Sequence, residues 1–210
     1  MIRILIVDDY PVVRRGIKGI FDDQPDEAVF GEAGSAAEAL ELIRREDWDV
    51  MVLDISLSGR SGLEVLKESK QIRPKLPVLV LSFHSEELYA RRAFKAGAGG
   101  YITKDSSRTE LLKAIHKVIK RGKYVSAALA EKLVFDIERG TDRPPHEALS
   151  DRELEVTCLI ASGKTVTEIA EVLSLSDKTI STYRARILDK MGMKSNAELT
   201  YYAITNKLVR

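Results

Sequence analysis

The chain has 210 residues, of which 44% are hydrophobic and 31% are charged, and its formal net charge is +1. This is the composition of an ordinary globular protein of one large or two small domains, and it excludes a disordered chain, a collagen and a coiled-coil rod. The single cysteine, Cys158, excludes an intramolecular disulfide framework and a cysteine-rich zinc site.

The N-terminus and the hydropathy pattern indicate the compartment. No apolar run approaches the roughly 18 residues that a membrane-spanning helix needs. The first apolar run meets two acidic residues, Asp8 and Asp9, too soon for a signal peptide. We therefore expect a cytoplasmic protein that has no membrane partner.

The first 120 residues alternate two kinds of segment. Short, almost continuously apolar runs predict strands over 3–7, 28–31, 50–54, 78–82 and 100–104. Amphipathic patterns between them predict helices over 11–21, 36–45, 62–72, 86–96 and 108–120. Continuous apolar strands are buried on both faces, as in a parallel sheet. The alternation therefore predicts an α/β doubly wound, five-stranded parallel sheet of the flavodoxin-like kind.

The composition changes after Arg121. Residues 127–137 predict one further helix, and the polar stretch 140–146, with two prolines and a glycine, predicts a linker. From residue 149 onward only helices are predicted, over 151–162, 166–173, 177–191 and 196–208. We predict three parts: the α/β domain over 1–122, a linker with one helix over 123–147, and a small all-α helix-turn-helix domain over 148–210.

Acidic side chains end two of the predicted strands. Asp8 and Asp9 follow the first strand, and Asp54 ends the third. In a sheet with the strand order 2-1-3-4-5 these strands are neighbours, so three carboxylates converge at the edge where open α/β sheets bind ligands. Like charges so close together are costly unless a cation shares them, and oxygen-liganded Mg²⁺ suits such a cluster.

Polar residues also end the fourth and fifth predicted strands. Ser82 ends the fourth strand and Lys104 ends the fifth. A carboxylate, a divalent ion, a hydroxyl and a lysine around one point are the parts needed for phosphoryl transfer to an aspartate. Mg²⁺ and Lys104 would neutralise the phosphoryl oxygens, and Ser82 would donate a hydrogen bond to one of them.

These strand ends, together with Tyr101 and the segments 81–84 and 96–105, resemble the receiver domains of two-component response regulators. The resemblance implies that Asp54 is the phosphoacceptor and that a sensor histidine kinase is the phosphodonor. It also implies a Mg²⁺ site formed by Asp9, Asp54, the backbone carbonyl of Ser56 and, through water, Asp8.

The same resemblance assigns roles to the other strand ends. It implies that Ser82 and Tyr101 form the switch pair and that Lys104 clamps the phosphoryl group. One departure is visible, because Leu57-Ser58 stands where the family often has Met-Pro. We expect this departure to affect loop rigidity more than chemistry.

Two other classes of protein could place acidic residues in this fold. A phosphatase of the haloacid-dehalogenase type has a second carboxylate two residues after its nucleophile, but here Ser56 follows Asp54 and Tyr10 follows Asp8 at that distance. A flavodoxin-like cofactor binder would bring a flavin phosphate against an acidic cluster that repels it. We therefore predict a protein that accepts a phosphoryl group on Asp54 and is not a turnover enzyme.

The C-terminal domain has an uneven charge distribution. Residues 149–177 hold two basic and six acidic residues, whereas 178–210 hold seven basic and two acidic ones. The helix predicted over 177–191 follows a short turn and carries small, hydroxylated and basic side chains opposite its apolar stripe, which suits a DNA major groove. A charged face on a helical packing module is the alternative. We predict contacts to double-stranded DNA from Lys178, Thr179, Ser181, Thr182, Arg184, Ala185, Arg186 and Lys190.

A second resemblance covers this domain. The segments 149–156, 160–165, 168–170, 178–180 and 187–192 resemble the LuxR-type domain of NarL/FixJ-type regulators. Val166 stands where Asn is usual, which weakens the case for a phosphate contact at that turn, and Tyr183 stands where His is frequent. With the receiver, the resemblance extends over essentially the whole chain.

The combined reading is a DNA-binding transcription regulator that is switched by phosphorylation of Asp54. Phosphorylation would release the C-terminal domain or promote a homodimer that matches two DNA half-sites. The helix predicted over 196–208 has more apolar residues than a three-helix core needs, so we predict dimer contacts from Leu199, Tyr202 and Ala203. The alternative is a phosphorylation-independent regulator that uses its receiver only to dimerise.

Overall fold

The computed structural model describes residues 1–22, 27–83, 86–127, 129–131 and 144–209, except for the side chain of residue 87. The chain divides into two compact units, Met1–Phe135 and Asp136–Arg210. Most of the helix predicted over 127–137 lies outside the described residues, as does the linker stretch 140–143. The predicted domain boundaries at 122 and 147 stay predictions.

The first unit alternates strands and helices along the chain. Its strands are β1 (Ile2–Val7), β2 (Ala28–Ala33), β3 (Val50–Asp54), β4 (Val78–Ser82) and β5 (Gly100–Thr103). Its helices are α1 (Pro11–Gly19), α2 (Ala36–Arg45), α3 (Gly62–Ile72), α4 (Glu86–Lys95) and α5 (Arg108–Ile119). β2 runs two residues further than predicted because its pairing with β1 continues to the Val7–Ala33 register.

The five strands form one parallel sheet in the order β2-β1-β3-β4-β5. Val7 of β1 lies opposite Leu53 of β3, so the last residues of these strands are neighbours. All residues of β3 and β4 are buried, as their continuous apolar sequence predicts. This topology confirms the predicted doubly wound fold class, and it brings the residues that follow β1, β3, β4 and β5 to one edge.

The sheet is covered on both faces. On one face Ile6, Val52 and Leu81 pack in a buried cluster with Ile17 of α1 and Ile115 of α5. Side chains of the opposite strand parity, such as those of Leu5, Met51 and Leu53, are also completely buried. Burial on both faces fixes the strand register, because a slip of one residue would exchange the two sets of side chains. The edge that carries the acidic residues therefore rests on a rigid scaffold.

The described residues of the second unit are helical. They form a 3₁₀ turn at Pro145–Ala148 and then α6 (Asp151–Ala161), α7 (Val166–Leu173), α8 (Asp177–Met191) and α9 (Asn196–Thr205). Ser150 and Glu153 form the capping box that starts α6, and such a box satisfies backbone N–H groups that a helix start leaves without partners. No helix in the described part of the chain is long and apolar enough to span a lipid bilayer.

The link between α7 and α8 is short because two serines shape it. Ser174 ends α7 in the left-handed conformation, with φ +52°, and the Ser176 hydroxyl accepts a hydrogen bond from the Thr179 N–H at the start of α8. Ile169 of α7 and Ile180 and Ile187 of α8 are completely buried in the core of this unit. The pair has the helix-turn-helix form that the sequence predicts.

Candidate functional site

Three carboxylates meet where β1 and β3 end. One oxygen each of Asp8, Asp9 and Asp54 lies within 4.8 Å of the others. The backbone orients two of these side chains: the Tyr10 N–H donates to Asp8 Oδ1 at 2.9 Å, and the Ser56 N–H donates to Asp54 Oδ1 at 3.0 Å. Asp8 and Asp54 are buried, so their charges need partners inside the protein.

Lys104 provides that partner. Its Nζ donates to Asp8 Oδ2 at 2.6 Å and to Asp54 Oδ2 at 2.7 Å, and its side chain is only 4% exposed. The residue is held in place because its backbone N–H donates to the Ser82 carbonyl at 2.8 Å. The structure therefore brings the predicted clamp into direct contact with the predicted phosphoacceptor.

The charges at this edge shift one another's pKa. Burial raises the pKa of Asp54 above its usual range, although Lys104 opposes that shift. Burial alone would lower the pKa of Lys104, but Asp54 and Asp8 more than offset it, so the pKa of the ammonium is raised. Lys104 therefore stays charged, and the removal of its charge would leave two buried carboxylates uncompensated.

Asp9 is held differently from the other two acids. Its Oδ2 accepts hydrogen bonds from the Ser58 hydroxyl at 2.5 Å and from the Ser58 N–H at 3.2 Å. Its Oδ1 is buried and has no hydrogen-bond partner among the residues that the structure describes. A buried carboxylate oxygen without a donor is costly, and a cation would remove that cost. This donor set of three carboxylates suits a hard divalent ion such as Mg²⁺.

The predicted switch pair lies beside this cluster. Ser82 and Tyr101 are completely buried, and their side chains are hydrogen-bonded to each other. Burial raises the pKa of the Tyr101 phenol well above its usual value, so the phenol is neutral and available as a donor. The backbone carbonyl of Ser56 remains a predicted ligand, since only the N–H of that residue has a described contact with the cluster.

Two residues at this edge were not predicted as site residues from the sequence. Ser58 was noted there only as a departure in the loop, yet it contacts Asp9. Phe83 follows Ser82 directly; the residue is 76% exposed, and the centroid of its ring lies 5.1 Å from Lys104 Nζ. Its position just after a strand end was the available signal for Phe83, whereas the Ser58 contact joins residues 49 positions apart and leaves no local sequence signal.

The outer face of α8 has the exposure that the sequence predicts. The apolar stripe points inward through Ile180, Ile187 and Met191, which are buried. On the other face the following predicted DNA contacts are exposed: Lys178, Ser181, Thr182, Ala185 and Arg186. The face is thus small at its centre and basic at both flanks.

Three other predicted DNA contacts have less freedom. Lys190 donates through Nζ to Glu153 Oε2 at 2.7 Å, which links α8 to the capping box of α6. Arg184 donates through Nε to Asn196 Oδ1 at 2.6 Å, and Thr179 is only partly exposed. The ion pair with Glu153 argues against the predicted DNA contact of Lys190, because the ammonium already compensates a carboxylate that is otherwise buried.

The predicted dimer contacts of α9 need a correction. Leu199 and Ala203 are completely buried inside their own unit, where α9 packs against α6. A side chain in that position cannot reach a partner subunit, so the prediction is wrong for these two residues. Tyr202 is partly buried, and its hydroxyl hydrogen-bonds His146 Nδ1 at 2.9 Å. The large apolar side chains that α9 exposes are instead Tyr201 and Ile204.

Two families match separate parts of this chain. Residues 4–116 match the response regulator receiver domain. Residues 147–203 match the bacterial regulatory proteins of the luxR family. The acidic edge of the sheet lies in the first match and the helix-turn-helix pair in the second.

The similarity to known proteins extends over nearly the whole length of this chain. Response regulator UvrY of Escherichia coli (strain K12) is 34% identical over 209 residues, which cover 99% of this chain and 96% of UvrY. Response regulator GacA of Pseudomonas protegens is 34% identical over 209 residues, which cover 100% of this chain and 98% of GacA. Both proteins therefore share the order of the two matched domains.

Solved structures extend the comparison to three dimensions. RcsB from Salmonella enterica serovar Typhimurium, bound to promoter rprA in the presence of the phosphomimetic BeF3-, is 26% identical with a TM-score of 0.63 and covers 96% of this chain and 98% of that chain. A complex of the two-component response regulator RcsB with DNA is 27% identical with a TM-score of 0.58, and covers 96% of each chain.

Proposed function

Since this chain belongs to the two-component response regulators with a receiver domain and a LuxR-type DNA-binding domain, we propose that a phosphoryl group on Asp54 controls its binding to DNA. Proteins of this family are transcription regulators and not turnover enzymes. The observation that carries the proposal is the position of Asp54, a buried carboxylate that contacts the Lys104 ammonium beside two further carboxylates.

The first step is the acceptance of the phosphoryl group. An Asp54 carboxylate oxygen attacks the phosphorus of a phosphohistidine on a sensor histidine kinase; the new O–P bond forms as the P–N bond breaks, and the histidine leaves with the electron pair. Asp54 has to be ionised for this attack, and Lys104 favours the ionised form against the effect of burial. The same ammonium then balances the added negative charge.

The acidic edge has the ligands for a divalent ion. Asp9, Asp54 and the Ser56 carbonyl, with Asp8 acting through water, would hold Mg²⁺, which would supply positive charge to offset the phosphoryl oxygens. The fit of the site supports this assignment, because Asp9 Oδ1 is buried and no described residue donates a hydrogen bond to it. Asp8 contributes through its contact with Lys104, which sets the position of the ammonium.

The response to phosphorylation passes through Ser82 and Tyr101. A phosphoryl oxygen on Asp54 competes for the Ser82 hydroxyl, which bonds Tyr101 in the structure. Loss or rearrangement of that bond changes the packing of the Tyr101 ring and so the surface near β5 and α4. A new charge that shifts a packed element in this way is a common form of phosphorylation switch.

The output is sequence-specific binding to double-stranded DNA, by the outer face of α8 in a major groove. The similarity to RcsB in complex with DNA supports this role. We also propose that the active form is a homodimer and that its C-terminal contact includes Tyr201 and Ile204, which are exposed where Leu199 and Ala203 are not. A regulator that meets both its kinase and chromosomal DNA works in the cytoplasm.

The proposal is tested by intact-mass measurement after treatment with acetyl phosphate. We expect one phosphoryl adduct on the native chain in the presence of Mg²⁺ and none after chelation by EDTA. Asp54→Asn should abolish the adduct, whereas Asp49→Asn is the matched control, because Asp49 is exposed and precedes the same strand. An equal yield of adduct on the Asp54→Asn variant would place the acceptor elsewhere. The absence of any adduct on the native chain, with acetyl phosphate and with purified kinase, would favour a phosphorylation-independent regulator.

A further inference from the structure

The loop after β3 brings a serine to the acidic edge. Ser58 uses two donors, its hydroxyl at 2.5 Å and its backbone N–H at 3.2 Å, and both reach the same oxygen, Asp9 Oδ2. The loop holds this serine in a tight turn, because the Arg60 N–H donates to the Ser58 carbonyl at 2.9 Å and Gly59 adopts φ +79°. The contact is therefore a defined one between two loops that lie 49 residues apart in sequence.

The two bonds to Oδ2 leave the other oxygen of Asp9 in an unusual state. Asp9 Oδ1 is buried and has no hydrogen-bond partner within the described part of the chain, while one oxygen of each of the three acids lies within 4.8 Å of the others. Asp9 as a residue is only partly buried, so packing alone does not fix its carboxylate. The Ser58 donors fix the orientation of the group and leave one oxygen free for a cation.

We infer that Ser58 is a positioning residue, which orients the Asp9 carboxylate as a ligand for a divalent cation. This inference rests on the proposed function, since it assigns the cation to the phosphoryl-acceptor edge. Outer contacts that orient a ligand carboxylate raise metal affinity by fixing its geometry before the metal binds. The site's affinity for Mg²⁺ is thus set partly by a residue that does not touch the metal.

The residue type matters for this role. A proline at position 58 has neither a hydroxyl nor an N–H, so it could make neither bond to Asp9. An alanine keeps only the weaker N–H contact, and a threonine keeps both donors. The departure from Met-Pro at Leu57-Ser58 therefore has a chemical consequence. Ser58 stands where the family often has a rigid proline, and it orients Asp9, a proposed metal ligand.

Mg²⁺ titration by isothermal calorimetry on the unphosphorylated full chain is the direct test. We expect Ser58→Ala to weaken Mg²⁺ binding by roughly tenfold, which is a typical loss of metal affinity when a contact that orients a ligand is removed. Ser58→Pro should weaken binding further. Ser58→Thr should restore binding to within about twofold of the native chain. Ser106→Ala is the control, because its hydroxyl lies at the same edge and contacts Thr103.

A kinetic measurement separates positioning from general damage. In acetyl phosphate reactions followed by intact mass, the Mg²⁺ concentration for half-maximal rate should rise in Ser58→Ala, while the rate at saturating Mg²⁺ stays within about twofold of the native rate. The positioning role would be overturned if Ser58→Ala and Ser58→Pro both bound Mg²⁺ with native affinity while Asp9→Asn bound it more weakly. That result would leave the proposed function standing. The absence of Mg²⁺ binding and of phosphorylation in the native chain would overturn both.

Discussion

At the scale of single residues, Lys104 is the side chain on which the acidic edge depends. It contacts Asp8 and Asp54 through one ammonium group, and all three side chains are almost completely buried. In a buried cluster each charge is tolerable only while its partners are present. The edge is therefore sensitive to any change of its net charge, whether by mutation, by a metal ion or by a phosphoryl group.

The first prediction concerns the removal of that ammonium. Lys104→Met should destabilise the N-terminal unit by about 3–5 kcal/mol at neutral pH, because two buried carboxylates lose their partner. Added Mg²⁺ should restore part of the loss. Urea unfolding followed by fluorescence of Trp48, the single tryptophan, reports on this unit. Lys113→Met on the exposed side of α5 is the control. A Lys104 variant that is as stable as this control would show that the ammonium does not compensate the two carboxylates.

The second prediction uses the pH dependence of the C-terminal unit. Burial alone would raise the pKa of Glu153, but Lys190 and the cap at Ser150 lower it overall. A lowered folded-state pKa means that the stabilisation is complete above the usual glutamate pKa of about 4.3 and is lost as the pH falls through the lowered value. Because Lys190 is half exposed, we expect no more than about 1 kcal/mol.

Hydrogen exchange of the α6 amides between neutral and acid pH measures this effect. The native chain should lose protection as the pH falls, while Glu153→Gln should have less protection at neutral pH and a flatter profile. Glu171→Gln, at an exposed position in the same unit, should follow the native profile. Parallel profiles for the native chain and Glu153→Gln would show that the ion pair does not stabilise α6.

The residue scale also shows what a sequence can and cannot predict. Asp8, Asp54 and Lys104 were predicted together because each stands at the end of a predicted strand or directly after it, and parallel strands end at one edge. The bonds of Ser58 to Asp9 and of Lys190 to Glu153 were not predicted, since they depend on side-chain positions across 49 and 37 residues. Such distances leave no periodicity or spacing in the sequence that could reveal them.

At the scale of elements, the strands and helices follow closely from hydrophobic patterning and capping residues. The patterning was insufficient for α9, where surplus apolar residues suggested a dimer contact. Leu199 and Ala203 are instead core residues. The sequence could not distinguish the two cases, because an apolar side chain on a short helix is equally compatible with a core and with an interface. The exposed Tyr201 and Ile204 could be distinguished from them only once the packing of α9 on α6 was known.

The third prediction separates the basic residues of α8. Lys178→Ala and Arg186→Ala should weaken DNA binding for all sequences and reduce the salt dependence by about one unit for each lost phosphate contact. Lys190→Ala should leave the salt dependence nearly unchanged, because this ammonium pairs with Glu153. Affinity is measured by titration of the full chain against selected and scrambled duplexes at several salt concentrations.

Lys207→Asn serves as the control in these titrations, because residue 207 lies beyond α9 and asparagine tolerates its left-handed backbone. Changes at Ser181 or Thr182 should instead alter base preference by about 1–3 kcal/mol per position. Equal affinity of the native chain for both duplexes at every salt concentration would contradict the recognition role of α8.

The fourth prediction concerns the segment that follows α5. Tyr124 pairs with the edge of β5, since its N–H donates to the Gly99 carbonyl at 3.0 Å and its carbonyl accepts from the Tyr101 N–H at 3.3 Å. Ser126 hydrogen-bonds Glu86 of α4, and Leu129 is buried. These contacts continue beyond the predicted domain boundary at residue 122.

A fragment that ends at residue 131 should therefore be more stable than one that ends at residue 122, by about 2 kcal/mol or more if the burial of Leu129 contributes fully. Urea unfolding of the two fragments by Trp48 fluorescence gives the comparison. Ser126→Ala in the longer fragment should remove a part of the difference, because it deletes the bond to Glu86. Equal midpoints for the two fragments would support the boundary at 122.

At the scale of the whole molecule, the chain joins a response regulator receiver domain to a LuxR-type DNA-binding domain. The fold class and the two families follow from the sequence, because patterning, strand-end acids and helix-turn-helix spacing all indicate the same architecture. The proposed link between the two functions could not be predicted in structural terms, since under the proposal it depends on how phosphorylation of Asp54 changes the surface around Tyr101. The sequence does not indicate which input the protein responds to, which operator it binds, or whether it activates or represses transcription.

The most direct test of this link is genome-wide mapping of DNA bound by the native protein and by Asp54→Asn, at matched protein levels and in cells with an active kinase. We expect discrete binding sites for the native protein and a loss of most of the occupancy at those sites for Asp54→Asn, with Asp49→Asn matching the native pattern. The same sites occupied to the same extent by Asp54→Asn would contradict the claim that phosphorylation of Asp54 controls DNA binding.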